Sequence, residues 1–120
     1  MFEVGLLTWL GTQVLNFKNL KREDRLAAIE GLTPAVGATI AYSEKLNRTH
    51  IRDTKEEQEL HNLWFAASSA VSRYDRELAR VCREKARYWL KYDEYDDDMV
   101  VQLKIKLIDV ADSLEEMKYS

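Results

Sequence analysis

Six cations recur at helical spacing in one stretch of this chain: Arg73, Arg76, Arg80, Arg83, Arg87 and Lys91, separated by three, four, three, four and four residues. Residues three and four apart share a face of an α-helix, so the six predict a stripe roughly opposite Leu78, Cys82 and Trp89. Arginine keeps its charge and presents a planar fork of donors suited to a carboxylate or a phosphate. Lining up like charges at these intervals costs about 0.2–0.5 kcal/mol per pair, so something must offset it. Glu77 and Glu84 on the same helix are one source. Glu56, Glu57, Glu59 or the carboxylates of 93–98 are a second, and an acidic protein surface or nucleic-acid phosphates outside the chain are a third.

Other residues that could do chemistry fail on spacing. Glu57 and His61 lie four apart, but a carboxylate-bridged metal site wants Glu-x-x-His pairs, and the residue three before His61 is Gln58. The bland reading is a solvent-facing Glu57–His61 pair. The acidic run DEYDDD at 93–98 lacks the glycine of a calcium loop, and position twelve counted from Asp93 is Lys104. Asp96 to Asp98 are expected instead to cap the last helix. Gly31 to Thr39 resembles a phosphate loop only in its glycines, since five residues separate them and no lysine follows Gly37. It reads as helix interior. Cys82 sits among apolar residues as a small hydrophobe, and nothing pairs it with His50 or His61 as a base. Ser68, Ser69 and Ser72 read as small packing residues. No catalytic residue, metal site or cofactor is expected.

The elements that must position the stripe are helices. Phe2, Leu6, Trp9, Leu10 and Phe17 predict an amphipathic N-terminal helix near 2–17, weakened by Gly5 and Gly11. Leu26, Ile29, Leu32, Val36, Ile40 and Leu46 hold one register from 22 to 47, predicting a helix kinked at Pro34. Thr54 with Glu57 matches a capping box ahead of a helix near 55–72, whose inner side is Leu60, Leu63, Trp64, Ala67 and Val71. Asp75 caps a helix at 76–91 with Leu78, Val81, Cys82, Tyr88 and Trp89 inside. Val100, Leu103, Leu107, Val110, Leu114 and Met117 predict one final helix over 97–118. No segment alternates as a strand does. The expected fold is all-α: an antiparallel helical bundle of four main helices plus the N-terminal amphipathic helix, in a single domain over 1–120.

Composition limits what such a domain could be. One cysteine excludes an internal disulfide framework and multi-cysteine zinc modules. Charge is segregated, with a net +4 over 73–91 and −6 over 92–120 within a total of −3. That total offers no global attraction to nucleic acid. The N-terminal segment lacks a basic n-region and is short for a bilayer span, so neither a signal peptide nor a transmembrane helix is expected. These readings predict a small cytoplasmic, non-catalytic protein that binds another protein, or a second copy of itself. Its contact surfaces would be the Arg73–Lys91 stripe and the N-terminal helix through Phe2, Leu6 and Trp9. The alternative is anion or nucleic-acid binding by the same cations, including an unrecognised nuclease.

Overall fold

The structure, a computed structural model, describes residues 22–102 and 106–119. The N-terminal helix expected near 2–17, with Phe2, Leu6 and Trp9, lies outside the described residues. Every regular element described is helical, with no strand among the described residues.

Helix α1 spans Arg22–Thr49, with Glu23 and Asp24 in its first turn and Arg48 in its last, each charge matched to the nearby end of the helix dipole. It runs through Pro34 as one element. Proline leaves the carbonyl of Glu30 without its usual amide, and one residue earlier the Thr33 hydroxyl donates to the carbonyl of Ile29 at 2.7 Å. The helix stops where His50 turns left-handed (φ 57°) while its amide still donates to Leu46 at 2.8 Å.

Helix α2, Thr54–Val71, is capped by Asp53, whose carboxylate accepts from the Glu56 amide at 3.1 Å. The expected Thr54–Glu57 capping box is therefore not formed. Thr54 is already helical, and Glu57 turns inward to the Tyr42 hydroxyl. Helix α3, Arg76–Leu90, starts on the expected cap, with the Leu78 amide donating to Asp75 at 2.9 Å. A 3-10 turn at Tyr92–Glu94 leads to a short helix α4, Asp97–Gln102, capped by Asp96 through the Met99 amide at 2.8 Å.

Helix α5 covers Leu107–Lys118. One continuous helix was expected from 97 to 118, but Lys106 is extended (φ −60°, ψ 137°). The reason lies in burial. No residue of α4 is buried, whereas α5 buries Val110, Leu114 and Met117 against the core. A break before Leu107 lets α5 orient for that packing, which outweighs the propensity of an unbroken register.

Helix α2 packs on both α1 and α3, and α5 packs on α1. Trp64 stands fully buried in the same apolar core as Leu32, Ala35, Val71, Leu78 and Cys82. Opposite the bulky side of α2, α1 presents small residues: Ala28, Gly31, Ala35 and Thr39. Consequently α1 is rotated from the face its largest residues suggest. Leu26 and Ile40, expected inside, are 44% and 43% exposed. Thr39 and Tyr42, polar enough to be overlooked, are buried instead. Thr39 accepts the indole N–H of Trp64 at 2.8 Å and donates to Ala35 at 2.7 Å, which satisfies both groups.

A cationic rim around an apolar groove

The inward register of α3 sets the site. Leu78, Val81, Cys82, Lys85, Ala86 and Trp89 are buried, so the cations at 76, 80, 83 and 87 are carried toward solvent. The expected stripe of six is shorter on the helix itself, because Arg73 stands in the turn before α3 and Lys91 just past its end. Three of them have carboxylate partners. Arg80 grips Glu77 with two donors, at 2.7 and 3.2 Å, and this contact raises its already high pKa. Arg73 lies 3.9 Å from Asp24, and Lys91 lies 3.8 Å from Glu94.

Arg76, Arg83 and Arg87 are exposed and have no carboxylate within 4.0 Å among the described residues. Three of the acids that might have covered them, Glu56, Glu57 and Glu84, are engaged elsewhere. Glu56 binds Lys45 at 2.8 Å, and Glu57 is held by Tyr42 and, at 3.0 Å, by Arg52. Glu84 accepts from the Tyr95 hydroxyl at 3.0 Å; burial and that carboxylate push the phenol of Tyr95 up to about 12.

The expected Glu57–His61 surface pair is absent for the same reason. Glu57 is buried. Its partner Arg52 also lies over the Tyr92 ring, 3.4 Å from the centroid, tying the start of α2 to the turn after α3. His61 faces α3, its Nδ1 2.9 Å from the carbonyl of Ala86. A carbonyl only accepts, so Nδ1 carries the hydrogen and the imidazole serves as a clamp between the helices.

Beside that clamp lies a cavity of about 180 Å³ lined by His61, Phe65, Arg83, Ala86, Arg87, Leu90 and Lys91. Its apolar walls are unusually open for their type: Phe65 is 55% and Leu90 48% exposed. Phe65 meets the edge of His61 at 6.0 Å, which fixes the ring's position. The stripe is thus one margin of an apolar groove, with two arginines at its edge that have no carboxylate partner among the described residues. Arg76 and Arg80, nearer the start of α3, and Arg73 in the turn before it do not line the groove.

Phe65 and Leu90 were not singled out in the sequence, and His61 was read only as a surface partner of Glu57. Phe65 follows Trp64 directly and falls off the inner register of Leu60, Trp64, Ala67 and Val71. The pairing of α2 with α3 sets it opposite Leu90. Lys85 was missed as well, although its spacing of three from Cys82 and four from Trp89 puts it on the buried side.

Among the described residues, no three or more of His, Cys, Asp and Glu gather as metal ligands would. None of their helices is long and apolar enough to cross a membrane. No known protein family, curated protein or solved structure matches the chain.

Proposed function

We propose that this is a small non-catalytic helical protein that works by binding another protein, with the groove between α2 and α3 as the contact surface. The supporting observation is the pairing of opposites in one place: half-exposed Phe65 and Leu90 flanked by Arg83 and Arg87, which lack carboxylate partners among the described residues. An apolar anchor residue seated between Phe65 and Leu90, with acidic residues on either side, satisfies both features of the groove. A phosphate backbone would use the arginines but leave the apolar walls uncovered. An acidic protein segment is therefore the better fit.

In this reading the helices form an antiparallel bundle in the cytoplasm, and the N-terminal amphipathic helix adds a second contact surface through Phe2, Leu6 and Trp9. The acidic 92–120 region of a second copy qualifies as a partner by the same chemistry.

The test is an amide NMR titration with a short synthetic peptide of alternating glutamates and leucines, run beside single-stranded RNA at the same ionic strength. Peptide-induced shifts concentrated at Phe65, Arg83, Arg87 and Leu90 support the proposal. Shifts from RNA with none from the peptide transfer the site to nucleic acid, and silence from both removes it.

A further inference from the structure

Among the described α-helices, α4 alone buries no residue. Its six residues, Asp97–Gln102, include two carboxylates and three apolar side chains. At 3.6 residues per turn, Val101 falls between Asp97 and Asp98 around the helix axis, one turn on from both. Val100 is turned another way. It packs, partly buried, against the core and lines a cavity with Thr39 and Ser43 of α1. Val101 is 49% exposed, and neither Asp97 nor Asp98 has a cation within 4.0 Å among the described residues. The outer face of α4 is therefore an apolar residue flanked by two carboxylates that no described cation matches.

The groove between α2 and α3 is the inverse of that face. Phe65 and Leu90 supply apolar walls, and Arg83 and Arg87 supply cations without a carboxylate partner among the described residues. The two features do not meet within one chain. Val100 holds α4 toward the side of α3 that carries Lys85 and Trp89, whereas Arg83, Ala86 and Leu90 line the groove with α2. They are nonetheless near each other along the chain, since the groove ends at Lys91 and α4 begins at Asp97. When a surface and its complement lie at one end of a molecule, a second copy related by a two-fold axis fills both at once, and the pair is closed.

We propose that two copies of this chain pair about such an axis, the outer face of each α4 lying in the α2–α3 groove of the other. Val101 seats between Phe65 and Leu90, while Asp97 and Asp98 face Arg83 and Arg87. Covering the three apolar side chains supplies the gain, and the opposed charges set the register and make the contact weaken as salt rises. The inference rests on the groove being a protein-binding surface and names its occupant.

The test is sedimentation equilibrium of the full chain over a range of concentrations at low and high sodium chloride. A reversible, salt-sensitive dimer is expected. Arg83→Glu with Arg87→Glu, and separately Asp97→Arg with Asp98→Arg, should each weaken it at least about tenfold, because groove and α4 then carry the same sign. Mixing the two variants in equal amounts should restore a dimer, since both contacts of the mixed pair again join opposite charges. A role in folding alone would not produce that recovery. A chain that stays monomeric overturns the proposal; the groove reading survives if the glutamate–leucine peptide still shifts Phe65 and Leu90, and falls with it if the peptide is silent. A dimer indifferent to either pair of changes also overturns it. So does one lost in both variants and not regained on mixing, when both melt as the unaltered chain does. Where a charge variant loses its fold, Val101→Ser decides, because α4 buries no residue. A dimer at least about tenfold weaker then supports the proposal, and an unchanged dimer overturns it.

Discussion

Gly31 of α1 lies so close to α2 that a methyl group in its place would overlap the Cβ of Ala70. The α-carbon of Ala67 would stand 3.5 Å away, so backbone closes off the other side. Gly37, two turns along the same helix, has nothing within 4 Å of where its Cβ would be. The two glycines thus make a matched pair. Gly37→Ala should stabilise the protein by about 0.5–1 kcal/mol, the helix-propensity gain alone. Gly31→Ala should destabilise it by about 1–3 kcal/mol as α1 and α2 are forced apart. Urea unfolding of both variants reads the contrast, and two changes of the same sign would refute the close approach.

Asp75 carries a charge the fold only partly supports. Burial pushes its carboxyl up to about 6 from 3.8, while hydrogen bonds from the Leu78 and Glu77 amides act in the opposite direction. The folded state therefore holds this proton over a window where the unfolded chain has released it. Stability from this group is greatest at or below 3.8, falls as pH rises through the window, and levels off above about 6. Asp75→Asn keeps an oxygen for the Leu78 amide without the charge. Thermal melts across that window should show a flatter pH dependence than wild type and a gain near neutrality. Asp75→Ala, which loses the cap, should instead cost about 1 kcal/mol.

Tyr42 links the ends of two helices through one oxygen. Its hydroxyl donates to the Glu57 carboxylate and accepts from the Asp53 amide at 3.0 Å. Burial and the neighbouring carboxylate raise its pKa. Tyr42→Phe leaves the amide without that acceptor and Glu57 with Arg52 as its remaining described partner, a loss of about 1–3 kcal/mol. Glu57→Gln should be markedly non-additive with it in a double-mutant cycle by denaturation. Simple additivity would mean the two groups do not act together.

The groove predicts a separation of stability from binding. Phe65→Ala and Leu90→Ala remove half-exposed side chains and should each change unfolding free energy by less than about 1 kcal/mol. The same changes should weaken the acidic peptide at least about tenfold, which corresponds to 1.4 kcal/mol. Arg83→Glu combined with Arg87→Glu should abolish the binding and its salt dependence. Calorimetry with matched melts separates the two effects, and loss of fold in parallel with loss of binding would place these residues in the core instead.

Much of this architecture was legible in the residues. The cap at Asp75, the inner face of Leu60, Trp64, Ala67 and Val71, the burial of Cys82 and the outward direction of the arginines all follow from period and cap chemistry. These are local properties, set by atoms within a turn or two of each other. The capping box at Thr54 failed because Asp53 stood one residue earlier and Glu57 had a better partner in Tyr42, fifteen residues back along the chain.

The sequence by itself determined that the described chain is helical, roughly where its first three described helices begin, and that the arginines of α3 stand on one side of it. Tertiary structure alone decided which face of α1 turns inward, where the last helix breaks, and which arginines keep carboxylate partners. It alone set Phe65 opposite Leu90 and enclosed Lys85 in aromatic rings. The reason is one of range. Helical period fixes directions around a single axis, whereas burial, ion pairing and cavities depend on how close two axes approach, and here that distance is set by small residues such as Gly31 and Ala70 meeting across an interface.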